Sequence, residues 1–322
     1  MNPDKGKETV SSGIGRGKLI LFGEHAAVYG YPAVGTALPC RTIVSHKKGF
    51  SDIHDTDQQI LQELLHTASR FMYGEDFPFA TEFHQHSDVP RIGGFGSSAA
   101  LCVAVSRIIL NRYSEGYNLE VHQLANQLEK RFHGTPSGID TGMSGDTSTS
   151  AWIKKNKSIP EFHPISLPPW SIAYSALPRI QPTAESVERL KKKAASKDSS
   201  VISAIKELGN ITNSFIDHAE TFTEKKTLKA DSFPEIAAGL ANKAHSILSS
   251  LELSTSAMDL VLKLAQEKGA LGGKISGGGM GGAFFICAPD RVCRDQLIRT
   301  LPEELARRGI SLSLPLSPLD FG

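Results

Sequence analysis

Residues 93–100 read Gly-Gly-Phe-Gly-Ser-Ser-Ala-Ala, three glycines and two hydroxyls set directly ahead of an apolar run through Leu101–Val105 and Ile108–Leu110. The run predicts a buried helix that starts near Ser97 or Ser98. Gly93, Gly94 and Gly96 lack the Cβ that keeps a ligand off the backbone. The first turn of a helix adds unpaired N–H groups and the positive end of its dipole. Together these features hold phosphate. The plain alternative is a glycine turn capped by a serine that binds nothing.

Other segments carry residues of the right types beside short strands. Gly17 to His25 puts Lys18 at the start of an apolar strand, 18–22, with Glu24 and His25 just past its end. Lys274 to Gly282 is a second glycine-rich loop that leads into the apolar strand Ala283 to Cys287, and the loop 133–140, His-Gly-Thr-Pro-Ser-Gly-Ile-Asp, ends on Asp140. Two common phosphate signatures do not apply. Gly17-Lys18 is followed by Leu19, and Ser12 stands where a P-loop needs its first glycine. Gly277, Gly279 and Gly282 spell Gly-x-Gly-x-x-Gly, but a strand follows them where a dinucleotide fold requires a helix.

The elements that must position these residues follow from periodicity. Strand-like runs occur at 18–22 and 41–45, with helical candidates at 56–73 and 97–113. Leu119 to Phe132 places Val121, Leu124, Leu128 and Phe132 at helical spacing, with His122, Gln123, Lys130 and Arg131 free to face outward and Glu129 near one edge of the apolar stripe. Gly134, Pro136 and Gly138 end that helix and turn Asp140 back toward whatever Glu129 faces. Prolines at 160, 164, 168 and 169 precede the strand 172–176 and mark a domain boundary, so residues 1–169 and 170–322 are expected as two domains. Beyond it lie long polar-rich helices, the helix Ser256–Lys268, the second glycine loop and its strand, a helix near 290–308, and an alternating run from Ile310 to Leu316. Helices on an antiparallel sheet, an α+β class, suit that order.

Composition bounds the partners. The chain has 322 residues, 40% hydrophobic and 21% charged, and a formal net charge of +1, which gives no basis for nucleic-acid binding. No apolar run reaches membrane-spanning length and the N-terminus lacks a secretory apolar core, so a cytoplasmic enzyme with no membrane partner is expected. Cys40, Cys102, Cys287 and Cys293 lack zinc spacing, and Cys102 and Cys287 read as buried thiols. His84 and His86 fit a half-exposed strand better than a metal site.

In this order the segments at 17–25, 93–100, 133–140 and 274–282 resemble the three motifs and the catalytic-aspartate loop of the GHMP small-molecule kinases. Residues 23–30, Gly-Glu-His-Ala-Ala-Val-Tyr-Gly, and the Pro-Ser-Gly-Ile-Asp loop at 136–140 are most similar to the mevalonate kinase branch. The resemblance implies a two-domain α+β fold, with a ribosomal-protein-S5-like N-terminal domain and a ferredoxin-like C-terminal domain. It also implies ATP-dependent phosphorylation of the 5-hydroxyl of mevalonate, with Mg2+.

By the same resemblance Gly93, Gly94, Gly96, Ser97 and Ser98 wrap the nucleotide phosphates, and Ser98 and Glu129 hold the Mg2+. Asp140 and Lys18 are the catalytic pair at the acceptor hydroxyl, Asp140 either abstracting the proton or orienting the hydroxyl. Glu24, His25 and Thr183 belong to the acceptor pocket, and Arg179 could face an acceptor carboxylate. Ile92, Phe95, Gly278, Met280 and Thr141 depart from the family pattern without removing a charged catalytic group. The alternatives are a GHMP kinase acting on phosphomevalonate, another mevalonate-like acid or a sugar, and a nucleotide-binding sensor without turnover. Galactokinases usually read Gly-Glu-His-Thr-Asp where this chain has Gly-Glu-His-Ala-Ala. The nearby cations, Lys18, Arg179, Arg91 and Lys274, are too few to favour a doubly anionic acceptor. A homodimer is the expected protein assembly.

Overall fold

The computed structural model describes residues 12–45, 55–75, 83–153, 159–181, 183–225 and 232–322. The chain divides into two compact units, both discontinuous: Met1–Gly17, Pro39–Val89 and Gly96–Thr147 form the first, and Lys18–Leu38, Pro90–Phe95 and Ser148–Gly322 the second. This division differs from a single break at 169–170. Two long strands, β1 (Ser12–Phe22) and β2 (Pro32–Ser45), each give one end to each unit, a length that the apolar runs 18–22 and 41–45 only partly reveal.

The first unit contains α1 (Asp55–Tyr73), β3 (His84–Ser87), α2 (Ser97–Ile109), α3 (Leu119–His133) and α4 (Ile139–Ser144). The C-terminal part of β2 pairs antiparallel with β3, Thr42 opposite Ser87, so His84 and His86 lie on a part-exposed strand as expected. The apolar run after Ser98 makes α2 a central helix, buried from Cys102 to Ile109 among Leu61, Leu64 and Leu65 of α1 and Val121, Leu124 and Leu128 of α3. Gly13 and Gly15 of β1 lie against this helix so closely that a Cβ at either would stand 2.0 Å from a carbonyl oxygen, of Ala104 and Ala100 respectively. Arg107 interrupts the apolar run yet is 1% exposed, because its guanidinium donates to the carbonyls of Ile14, Gly116 and Gly145.

The second unit is built on an antiparallel sheet in the order β7-β8-β6-β9, made by Gly272–Ile275, Gly282–Ala288, Trp170–Leu177 and Ser317–Phe321. β4 (Thr149–Ile153) pairs with Pro32–Thr36 of β2 on one side and with β5 (Glu161–Pro164) on the other. The helices are α5 (Thr183–Ala195), α6 (Ser199–Lys225), α7 (Phe233–Ser250), α8 (Ser256–Glu267) and α9 (Arg291–Arg307). Trp170 is the centre of an aromatic core with Phe215, Phe233, Phe285 and Phe321, ring centroids 5.2–6.1 Å apart. The last strand is not the alternating run 310–316, which is irregular and contains Pro315. It begins at Ser317 and pairs Tyr174 with Ser317 and Trp170 with Phe321.

Candidate active site

In the first unit, Gly96 takes φ 81 immediately before α2, a left-handed conformation that favours glycine. No side chain caps the helix, so Ser98 is not the cap that the plain alternative required. Its hydroxyl instead donates to Glu129 Oε1 at 2.8 Å. Glu129 is 1% exposed on α3 and also has His133 Nε2 at 3.2 Å. Beside it, burial first and the Glu129 carboxylate second push the Cys102 thiol well up, so Cys102 stays a neutral thiol.

Asp140 lies in the first turn of α4, half-buried, and not in an open loop. The residue that opens this helix is Gly138, at φ 83, and its carbonyl receives hydrogen bonds from His122 Nε2 at 2.6 Å and Thr141 Oγ1 at 3.2 Å. His122 is therefore not outward-facing. It is 2% exposed, and burial pushes its pKa down to about 4 against the opposing effect of the Gly138 carbonyl. His122, Asn126 and Glu129, at i, i+4 and i+7, form a second buried face of α3 made of polar residues, a signal that a search for apolar stripes passes over.

In the second unit, Lys18 sits well inside β1 and not at its start; it is 5% exposed, and its N–H donates to the Phe95 carbonyl at 2.9 Å. Gly93 and Gly94 both have positive φ, 90 and 87. The Gly93 carbonyl accepts from Ala283 N at 2.8 Å, which ties this loop to the start of β8. The Arg179 guanidinium lies over the same glycines, close enough that a Cβ at Gly94 would stand 2.7 Å from it. Thr183 opens α5, and its side chain lies outside the described residues.

Glu24 and His25 form the turn after β1, and both are buried. His25 has φ 61, rare for a residue with a Cβ, and Gly23 before it has φ 91 with the Pro32 carbonyl where a side chain would go. Burial, above all, lowers the His25 pKa to about 4, the backbone of Gly278 acting in the other direction. His25 is thus a neutral imidazole, and its buried Nε2 has no hydrogen-bond partner among the described residues. Lys274 is not a spare cation for an acceptor. It is fully buried in β7, and its ammonium donates to Glu24 Oε1 and to the Ile275 carbonyl. Burial raises the Glu24 pKa, and Lys274, with a smaller effect from Lys18, opposes it. The second glycine loop is the turn of the β7–β8 hairpin, Ile275 opposite Phe284, so what precedes it directly is a strand, with α8 before that.

The expected residues thus assemble within each unit: Gly96, Ser97 and Ser98 with Glu129 in the first, and Lys18, Gly93, Gly94, Glu24 and His25 in the second. The first is a helix terminus with an oxygen-donor pair. The second is a set of strand-end turns holding a neutral histidine and paired charges.

Comparison with known proteins defines the class. The family description "GHMP kinases N terminal domain" matches residues 60–144 and "GHMP kinases C terminal" matches 225–307, together just over half of the chain. The chain belongs to the GHMP kinases, ATP-dependent kinases of small molecules, and has their two-domain α+β fold. Within that class it is similar to the mevalonate kinase of Pyrococcus furiosus, 26% identical over 307 residues that cover 85% of this chain and 88% of that one. Among solved structures, L. major mevalonate kinase in complex with R-mevalonate superposes with a TM-score of 0.76 at 22% identity, covering 99% of this chain and 98% of that one. The Methanococcus jannaschii mevalonate kinase gives a TM-score of 0.71 at 21% identity, covering 98% of each.

Proposed function

We propose that this kinase transfers the γ-phosphoryl group of ATP to the 5-hydroxyl of mevalonate. The observation that carries the acceptor is the likeness to mevalonate kinases along 85% of the chain. The buried, fixed turn at Glu24 and His25 is consistent with it. On this reading Gly93, Gly94, Gly96, Ser97 and Ser98 address the phosphates, where backbone N–H groups and the α2 dipole favour anionic oxygens. Glu24, His25 and Thr183 line the acceptor pocket. Asp140 and Lys18 are assigned to the acceptor hydroxyl, Asp140 holding it in line and receiving its proton as the P–O bond forms.

Ser98 and Glu129 offer a hydroxyl and a carboxylate oxygen 2.8 Å apart, hard donors that fit Mg2+ with its other positions left to phosphate oxygens and water. No group of three or more His, Cys, Asp or Glu suited to a metal occurs among the described residues, so the donor set favours an ion shared with the nucleotide over a protein-enclosed cage. Bound there, Mg2+ would neutralise phosphate charge.

The two family matches fall on either side of residue 169, which supports a nucleotide and catalytic part at 1–169 and a part at 170–322 that completes the acceptor site. A cytoplasmic location and a homodimer complete the proposal; no helix among the described residues is long and apolar enough to cross a membrane. The test is incubation with Mg-ATP and a panel of mevalonate, phosphomevalonate, galactose and homoserine, with products identified by mass spectrometry. Phosphomevalonate formed from mevalonate at least tenfold more efficiently than any other product supports the reading. A better acceptor in the panel replaces mevalonate, and nucleotide binding without any product makes the chain a sensor.

A further inference from the structure

We propose that Lys274 is a positioning residue for the acceptor end of the site, acting through Glu24 to fix the turn that carries His25. This rests on the reading that Glu24 and His25 meet the acceptor. The Lys274 side chain is 0% exposed and that of Glu24 3%, so the two charges form an ion pair sealed from water. The rings of Phe22 and Phe285 lie 5.7 and 5.5 Å from the ammonium and complete its enclosure. A buried pair of this kind is poor at stabilising a fold, since apolar residues of similar volume do as well or better. Its directional bonds serve instead to specify one geometry.

The turn at Glu24 needs such specification. It runs through Gly23 at φ 91 and His25 at φ 61, a backbone that a chain does not adopt unaided. Two side-chain bonds from β7 and the loop after it hold the segment. Lys274 binds the Glu24 carboxylate, and Ser276 Oγ donates to the Ile20 carbonyl at 2.8 Å. Lys274 also donates to the Ile275 carbonyl at 2.6 Å, so its ammonium is itself fixed. Removing it leaves Glu24 a buried carboxylate without its cation, free to rotate or take a proton, and the neutral His25 beside it loses its reference position.

The experiment is a double-mutant cycle of Lys274→Met and Glu24→Gln in the full chain, with KM for acceptor and for ATP measured separately and stability followed by urea unfolding. The acceptor is whichever compound the wild-type enzyme phosphorylates in the panel, so an error in the named substrate does not touch this result. Lys274→Met is expected to raise KM for the acceptor roughly 10- to 100-fold, the scale of a small misplacement, with KM for ATP within about twofold. The double variant is expected to match Glu24→Gln within about twofold, because a neutral residue 24 offers Lys274 an uncharged acceptor and the ion pair that fixes the turn is already gone. If Lys274→Met does not fold, the double variant against Glu24→Gln decides alone. An unchanged acceptor KM, equal rises in both KM values, or a double variant clearly worse than Glu24→Gln overturns the proposal and leaves Lys274 a structural residue.

Discussion

Gly15→Ala adds one methyl group, and the structure gives its cost. A Cβ there would stand 2.0 Å from the Ala100 carbonyl oxygen and 2.7 Å from the carbonyl carbon, both backbone atoms of α2 that no side-chain rotation can move. Relieving the overlap requires strand and helix to separate by roughly 1 Å or more, since carbon contacts are comfortable only near 3.5 Å. Overpacking of this kind costs about 1–3 kcal/mol and should lower Tm by several degrees. The consequence reaches the site because Ala100 lies in the same helical turn as Ser97 and Ser98, its N–H bonded to the Gly96 carbonyl at 2.8 Å. A shift of α2 therefore moves the proposed phosphate cradle, and nucleotide affinity should fall roughly 10-fold or more. The assay pairs thermal unfolding with titration of a fluorescent ATP analogue. Gly239→Ala is the control, a site on α7 where an added Cβ meets nothing within 4 Å and the change should be neutral or slightly stabilising. Unchanged Tm and unchanged nucleotide affinity in Gly15→Ala would refute the claim that these glycines set the position of α2.

Three further outcomes follow from the assigned roles. Asp140→Asn should keep ATP affinity within about twofold while kcat falls roughly 10²- to 10⁴-fold, the range of a positioned acid–base group, and steady-state turnover at wild-type level counts against the assignment. Glu129→Gln keeps the acceptor for the Ser98 hydroxyl but removes the charge, so half-maximal activity should require several-fold more Mg2+; an unshifted Mg2+ titration returns Glu129 to a structural role. His122 and His25 keep their pKa near 4 in the folded protein against about 6.5 when unfolded, so between pH 6.5 and 4 the unfolded chain binds protons the folded one refuses. Stability is whole above pH 6.5 and declines toward pH 4, by up to about 3 kcal/mol for each histidine, and His122→Gln should remove its share. Urea midpoints at pH 7 and 4.5 with equal losses in wild type and variant would disprove it.

Regular patterns made much of this legible. The apolar run after Ser98 encodes α2, the amphipathic stretch from Leu119 encodes α3, and the order of glycine loops identifies the family. What periodicity does not carry is a polar residue that is buried because of a distant partner. His122 looks like surface beside Gln123 until the Gly138 carbonyl, 16 residues on, is placed against it. Lys274 looks like a flanking cation because its partner Glu24 is 250 residues away. β7 is hidden for another reason: Gly272 and Gly273 have no side chains to alternate, and both are required to be bare, Gly273 by the Phe285 carbonyl at 2.4 Å from its missing Cβ.

The two buried polar residues share one cause. A glycine-rich turn binds phosphate or substrate well because its backbone is uncovered, but for that same reason it has no side chains with which to pack, and apolar burial cannot select its conformation. Directional bonds from buried polar groups can, provided each group is desolvated enough to make misalignment costly. His122 does this for the Gly138 turn that opens the helix of Asp140, and Lys274 with Ser276 does it for the turn of Glu24 and His25. A pair of apolar residues in either place would stabilise the fold equally well while leaving the turn free to move. The burial of a lysine and a histidine beside the bare turns is thus what a site needing fixed backbone geometry requires of its sequence.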